Sequence, residues 1–181
     1  MASDTKRLES LRFRGDLHTL KKVCRYASIV MLAGEAAFII LAAAMIVSGA
    51  YSFVSDGFKD TFIDIIRSGD SDASLIAGTL ELTLTFLGMF VTVKVIHDIM
   101  VSIQNEHSPF MEENSKGFKT VCMTFLILSA PLCVLEYINR SDAILAICVL
   151  LVCILICVVM YCLTIIFRYG SALQDESDHT L

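Results

Sequence analysis

The sequence predicts an all-α integral membrane protein, a bundle of four transmembrane helices, and three observations lead to that prediction. Hydrophobic residues make up 56% of the 181 residues, above the roughly 45–50% of a soluble domain. They concentrate in four runs, about 26–50, 75–96, 118–138 and 143–167, the last without any charge. Each run can cross about 30 Å of hydrocarbon as a helix, which satisfies its own backbone hydrogen bonds there. We interpret residues 1–181 as one four-span membrane domain.

A polar connector, residues 97–117, joins the second and third spans and carries a helix-start signal. Ser108 is a favoured N-cap residue, and Pro109 suits the first helical position, whose N–H has no partner in a helix. Two glutamates follow in the first turn, where the helix dipole favours negative charge. One helix is therefore predicted to end near Asn105 and the next to begin at Pro109. The connector is either an interfacial elbow or a docking surface for a cytoplasmic partner.

Basic residues are divided unevenly between the polar segments. Residues 1–25, 94–119 and the acidic tail 168–181 carry 11 of the 14 Lys and Arg residues, whereas the loop 51–74 and the turn 139–142 carry the other 3. Cytoplasmic segments of membrane proteins carry the excess of basic residues. The distribution predicts a multi-pass protein of the cell membrane with both termini and the connector in the cytoplasm.

Two short amphipathic helices are predicted to lie at the membrane surfaces. Residues 8–24 combine an apolar stripe with basic residues that suit anionic headgroups of the inner leaflet, and Asp16, after Gly15, is the candidate N-cap. No nucleic-acid recognition fold surrounds this basic segment, so direct nucleic-acid binding is not expected. Residues 57–67 form the second helix. Its apolar face comprises Phe58, Phe62, Ile65 and Ile66.

Polar residues within the spans are the candidate intramembrane sites: Glu35, Glu81 and Thr85. Glu35 lies ten residues after Arg25, about 15 Å along a helix and close to the bilayer midplane. Glu81 and Thr85 belong to a stripe of small and polar residues, which in membranes either packs two helices together or lines a substrate path. An intramembrane acid is a functional candidate, but each acid is equally consistent with a hydrogen bond to a neighbouring helix. The stripe comprises Gly78, Glu81, Thr85, Gly88 and Thr92.

The sequence predicts no catalytic site, no metal site and no cofactor. Six of the seven cysteines fall in the third and fourth spans without a C-x-x-C pair, which favours small apolar packing residues over a disulfide framework. The histidines are scattered through segments predicted to lie outside the membrane. No hydrolase, metalloprotease or phosphate-binding motif occurs. The chain is therefore predicted not to be an enzyme.

Two segments carry a resemblance to a known family. They are HSPFMEENSKGFK at residues 107–119 and FRYGSALQDESDHTL at residues 167–181. Together with four spans in a chain of this length, they resemble the bacterial membrane family called domain of unknown function 2975. Members of that family are often encoded beside a small Cro-type helix-turn-helix regulator. The resemblance therefore implies a membrane partner that sequesters or signals to a repressor, and it implies no catalytic residues.

The function expected from these observations is a non-enzymatic bacterial sensor or regulatory partner of a small helix-turn-helix regulator. The connector and tail are expected to form one acidic surface. Its partner-docking candidates are Phe110, Met111, Glu112, Glu113, Asn114, Gly170, Leu173 and Gln174. The alternative is a small transporter or channel component that uses Glu35 and Glu81. The lipid bilayer is an expected partner in either case, and a homo-oligomer is compatible with both.

Reporter fusions after residues 70, 110 and 181 test the predicted orientation. We expect the fusion after residue 70 to be active outside the cytoplasm and the other two inside it, because of the 11-to-3 division of basic residues. An externally active reporter at residue 110 would contradict the assignment.

Overall fold

The computed structural model describes residues 2–69, 71–105 and 111–179, with side chains described from residue 21 to residue 174 of these ranges and at residue 176. The described chain is helical and contains no strand. Its five helices are α1 (Ala2–Ser52), α2 (Asp56–Ile66), α3 (Asp72–Gln104), α4 (Glu112–Arg140) and α5 (Ala143–His179). Four contain stretches long and apolar enough to cross a membrane: Lys21–Ser52, Asp72–Gln104, Glu112–Arg140 and Ala143–Gln174. The four predicted spans are confirmed as helices, and they indicate a multi-pass membrane protein.

The long helices form an open row in the order α1, α3, α4, α5. Within the described residues, α3 contacts α1 and α4, α5 contacts only α4, and α1 touches neither α4 nor α5. The sequence predicted a bundle of four helices but not their order, which this row supplies. Lipid tails are as apolar as leucine, so no hydrophobic force drives membrane helices to close on one another. The apolar outer faces of α1 and α5, with Ile40 and Ile144 exposed, suit contact with hydrocarbon.

Hydrogen bonds between antiparallel neighbours show which helix ends lie together. The amide of Gln104 donates to the carbonyl of Cys24 at 3.1 Å, and the hydroxyl of Ser115 donates to the carbonyl of Thr164 at 3.3 Å. These contacts place the end of α3, the start of α4 and the last turns of α5 at one end, which we call the connector end. The opposite end, with α2 and the turn between α4 and α5, is called the α2 end.

The α1 helix continues without a break where the sequence predicted a surface helix at 8–24 followed by a separate span. Gly15 and Asp16 lie inside this helix, so the prediction that Asp16 is an N-cap is wrong. A single glycine in a helix costs only about 1 kcal/mol relative to alanine, and no proline interrupts the segment. The side chains of the predicted apolar stripe up to residue 20 lie outside those described.

The α2 helix confirms the short helix predicted at 57–67, but the predicted face was partly wrong. Phe62 and Ile66 are buried against Leu75 of α3, and Ile63 packs beside them. Ile65 is 71% exposed. Its position on the helix points it away from α1 and α3, which the buried residues contact. The helix therefore covers its apolar face against the protein.

An ion pair also links α2 to the start of α3. The ammonium group of Lys59 donates to Asp72 Oδ1 at 2.6 Å. This hydrogen bond raises the pKa of Lys59 above its ordinary value of 10.5. Because the folded pKa is raised, the stabilisation that Lys59 contributes is present below its ordinary pKa and is lost as the pH rises through the raised pKa. The pair is therefore insensitive to pH changes near neutrality.

The connector confirms one predicted boundary and corrects the other. The α3 helix ends at Gln104 with Asn105 as its C-cap, as predicted. The α4 helix begins at Glu112, three residues later than the predicted start at Pro109, because Met111 has an extended backbone. Both glutamates then occupy the first turn, where the dipole favours them. Ser108, Pro109 and Phe110 lie outside the described residues.

Apolar contacts hold α4 and α5 together. Val121, Phe125 and Leu132 of α4 form a buried core with Cys153 and Cys157 of α5. The thiol of Cys157 donates to the carbonyl of Cys122 at 3.2 Å. The prediction that cysteines serve as small packing residues is confirmed for Cys153 and Cys157.

Replacement of Phe62 by alanine tests the packing of α2. A buried phenylalanine contributes about 3–5 kcal/mol, so we expect Phe62→Ala to detach α2 and to raise the rate of trypsin cleavage after Arg67 by about tenfold or more. Ile65→Ala is the matched control, since Ile65 is exposed on the same helix. Equal cleavage of both variants would contradict the packing described for α2.

Candidate functional site

A polar group, the carboxyl cluster, joins α3 and α4 near the α2 end; it comprises the buried Glu136 and Asn139, the half-buried Glu81 and the exposed Arg140. The side chain of Asn139 donates to Glu81 Oε2 at 3.2 Å. The guanidinium of Arg140 forms an ion pair with Glu136 Oε1 at 3.3 Å, and the Glu136 side chain is only 4% exposed. The carboxyl group of Glu136 also lies close to that of Glu81 across the interface. The cluster thus brings two carboxyl groups, one amide and one cation together.

Gly78 of α3, which has no Cβ atom, leaves room for the cluster. Asn139 lies against Gly78, where a Cβ atom would come within 3.0 Å of Asn139 Oδ1. The backbone N–H of Gly69 donates to the carbonyl of Asn139 at 3.3 Å, and the hydroxyl of Ser74 donates to the carbonyl of Ile138 at 3.4 Å. The last turn of α4 is therefore fixed against the loop before α3 and against the first turns of α3.

The geometry of the carboxyl cluster determines what it can hold. An ionised carboxylate has no hydrogen to donate, so two carboxyl groups share a hydrogen bond only when one of them carries a proton. Arg140 compensates the charge of the other. Asn139 Oδ1 has no hydrogen-bond partner among the described residues although Asn139 is buried. The cluster thus sets two carboxyl groups side by side between the two helices, which is an arrangement that can hold one proton.

A second polar pair links α1 to α3. Nδ1 of His97 lies 2.6 Å from Glu35 Oε1, and both side chains are mostly buried. His97 is three residues beyond Lys94 and one before Asp98, both of which are exposed. Glu35 therefore lies beside the last turns of α3, at a level seven residues before the end of that helix at Gln104, and its depth in a membrane stays a prediction. Counting residues along α1 alone could not reveal which part of α3 lies beside it.

Glu35 and Glu81 belong to separate sites. His97, the partner of Glu35, follows Glu81 by 16 residues on α3, a distance of about 24 Å along a helix. Glu35 faces α3 from α1, while Glu81 faces α4. The stripe around Glu81 serves helix packing, since Gly88 meets Phe125 and Leu128 of α4. The hydroxyl of Thr85 donates to the carbonyl of Glu81 in its own helix at 2.9 Å.

The connector end brings most of the described docking candidates together. Glu112, at the start of α4, lines the same cleft as Ala172 near the end of α5. Met111 is half-buried, Glu113 is exposed, and Asn114 is buried. On α5, Gly170 is half-buried, whereas Leu173 and Gln174 are exposed. The side chains of Asp175 and Asp178 lie outside those described.

The described charges at the connector end are divided between two clefts, and the acidic surface that the sequence predicted from the tail stays a prediction. The cleft between α4 and α5 is lined by Lys116, Lys119 and Arg168 in addition to Glu112. A separate cleft between α3 and α4 holds the acidic residues Asp98 and Glu113. Glu112 and Glu113 are neighbours in the first turn of α4, but their side chains line different clefts because they point toward different helices. The acidic part of the described surface therefore faces α3, and the part beside α5 is basic.

Sequence reasoning missed three residues of the carboxyl cluster and the partner of Glu35. Glu136 and Asn139 continue the spacing of the buried face of α4, which is a signal that could have found them. That face comprises Phe118, Val121, Phe125, Ser129, Leu132, Glu136 and Asn139. His97 was assigned to a segment outside the membrane. His97 lies four residues after Val93 and seven before Gln104, so the three residues share one face of α3. Val93 packs on Gly34 of α1, and Gln104 bonds to Cys24 of α1.

No group of three or more His, Cys, Asp or Glu side chains suited to a metal ion occurs among the described residues. In comparisons with known proteins, no family model, curated protein or solved structure matches the chain. The resemblance of residues 107–119 and 167–181 to domain of unknown function 2975 stays a prediction.

Two substitutions at Glu136 test the hydrogen bonds of the carboxyl cluster. Gln has the same size and can still donate to Glu81, so Glu136→Gln should lower stability only slightly. Glu136→Leu leaves Glu81 without this partner, and an unsatisfied buried polar group costs about 1–3 kcal/mol. Thermal unfolding of the purified protein in detergent measures both. Equal loss of stability in the two variants would show that charge, rather than hydrogen bonding, is required.

Proposed function

We propose that the chain is a non-enzymatic membrane protein that acts as the sensor or regulatory partner of a small helix-turn-helix transcription regulator. The regulator docks at the connector end, which lies in the cytoplasm. The observation that carries the proposal is the juxtaposition of the start of α4 with the end of α5. These two segments are the ones that resemble the family encoded beside such regulators.

The contacts between these segments form a defined platform. Besides the bond from Ser115 to Thr164, Phe118 and Phe167 pack edge to face with ring centroids 4.9 Å apart. Such aromatic pairs add about 0.5–1.5 kcal/mol beyond the area they bury. Residues distant in the chain are thereby fixed beside each other. A partner that touches both segments would therefore bind the folded protein, in which the two segments lie side by side.

Charge complementarity favours the cleft between α3 and α4 as the contact for a basic partner. A protein face that binds DNA phosphates is itself basic, and Asp98 and Glu113 line this cleft. Exposed ion pairs contribute only about 0–1 kcal/mol each, so a stable complex also needs an apolar anchor. Leu173 is 63% exposed at the same end and is the described residue best suited to that role. Phe110 is the other proposed anchor.

A sensing element lies next to the docking surface. His97 immediately precedes Asp98 on α3 and contacts Glu35 of α1. A change in this pair would act on the end of α3 that lines the acidic cleft. Because this pair joins α1 to the end of α3, it is the proposed input for a regulatory signal.

A transporter or channel component is the second candidate function. The carboxyl cluster favours it, because paired carboxyl groups within spanning helices are typical of proton-coupled membrane proteins. Two features weigh against it. His97, the partner of Glu35, lies about 24 Å from Glu81 along α3, and an open row of helices encloses no path. Transport would require additional copies of the chain or another subunit to close one.

Alanine replacement of both anchors tests the regulatory proposal. We expect Phe110→Ala with Leu173→Ala to weaken binding of the helix-turn-helix regulator encoded beside the gene by about tenfold or more, since a central apolar anchor contributes about 2 kcal/mol. The reversal Glu112→Lys should have a smaller effect. Pull-down with purified components measures the affinity.

The matched control is Ile144→Ala, which removes an exposed apolar side chain at the α2 end. It should leave binding unchanged. Unchanged capture by the double alanine variant would exclude the docking surface and leave the connector as a structural turn.

A further inference from the structure

The cleft between α4 and α5 at the connector end has a volume of about 460 Å³. Its lining includes three cations, Lys116, Lys119 and Arg168, and one carboxylate, Glu112, which gives it a net charge of +2. Lys116 pairs with Glu112 at 3.1 Å, and both side chains are exposed. Neither Lys119 nor Arg168 forms an ion pair with a described residue. Two cations of the cleft are therefore available to an anion.

An apolar groove adjoins this cleft on the outer face of α5. It has a volume of about 250 Å³ and is lined by Ile165, Tyr169, Arg168 and Ala172. Arg168 and Ala172 line both spaces, so the basic cleft and the apolar groove adjoin each other at these two residues. Both lie at the polar end of helices long enough to span a membrane, where lipid headgroups meet acyl chains.

We propose that this composite site binds one anionic glycerophospholipid, with its phosphate among Lys119, Arg168 and Lys116 and an acyl chain along Ile165 and Tyr169. The guanidinium of Arg168 suits the phosphate because its planar set of donors binds two phosphate oxygens at once. The lysines add point charge. Basic pockets between spanning helices are typical binding places for anionic headgroups.

The charge of the cleft determines which lipid it takes. A headgroup such as phosphatidylglycerol carries a net negative charge, which the cations attract. The quaternary ammonium of phosphatidylcholine would meet the same cations and be repelled. A soluble phosphate compound would offer the same phosphate group to the cations, but it has no acyl chain to occupy the apolar groove. The adjacency of groove and cleft therefore favours the lipid.

The absence of tryptophan from the chain permits a direct measurement with two single-tryptophan variants. Tyr169→Trp, the groove reporter, places the fluorophore in the groove. Tyr137→Trp, the distant reporter, places it on an exposed face at the α2 end of α4. Each full-length variant is reconstituted in vesicles with brominated phosphatidylglycerol or brominated phosphatidylcholine at the same mole fraction. Quenching gives the relative association constant of the two lipids at each position.

We expect the groove reporter to show a preference for phosphatidylglycerol and the distant reporter to show none. Each cation near a lipid surface contributes about a fivefold change in association. Adding Lys119→Gln and Arg168→Gln to the groove reporter should therefore reduce its preference by about 25-fold or to the level of the distant reporter. Lys94→Gln is the matched control, since Lys94 is an exposed cation on α3 that lines neither space, and it should leave the preference intact.

Three results would overturn the proposal. Equal preference in the groove reporter and the distant reporter would mean that the site does not select anionic lipid. A preference that survives loss of both cations would mean that they do not bind the phosphate. Reversal of quenching in the groove reporter by millimolar glycerol 3-phosphate, with the bilayer composition unchanged, would assign the cleft to a soluble phosphate. Circular dichroism confirms in each case that the variant is folded.

Discussion

The interface between α3 and α4 holds the molecule together, because among the described residues it is the contact through which α1, α2 and α3 meet α4 and α5. A hydrophobic force cannot maintain it inside a bilayer, so close packing and hydrogen bonds must do so. Gly78 and Gly88 allow the approach, and the bond from Asn139 to Glu81 fixes the register at one end. The two halves of the row therefore depend on a small number of polar and small residues.

The energetic role of these polar residues is asymmetric. A hydrogen bond between membrane helices contributes only about 0.6 kcal/mol on average, but a polar group left unsatisfied in hydrocarbon costs several times more. Asn139, buried and bonded to Glu81 of α3, thus stabilises the correct pairing chiefly by penalising the alternatives. Sliding α4 by one turn would separate Glu136 and Asn139 from Glu81. This explains how an open row retains one arrangement without the constraint of a closed bundle.

Much of the fold could be predicted from the sequence, because hydrocarbon imposes a simple rule on length and composition. The spans, the helix after Ser55 and the end of α3 at Gln104 all followed from apolar runs and local signals. The partners of the polar residues did not follow, because they depend on which helices are neighbours. Glu35 was recognised as a candidate, but its partner His97 was invisible until α1 was seen beside the polar end of α3. Ile65 was misassigned for the same reason, since its neighbours decide which of several apolar residues is buried.

The neighbours also decide the charge pattern of the connector end, which a count of acidic and basic residues does not reveal. In the described part of the chain, three clefts lie there between successive pairs of helices. Lys21, Lys22 and Arg25 line the one between α1 and α3, acidic residues line the one between α3 and α4, and basic residues line the one between α4 and α5. Anionic lipid suits the two outer clefts, and a basic protein suits the middle one. On the proposed function, the lipids would hold the edges of the row at the membrane surface and leave the acidic cleft between them open to the regulator.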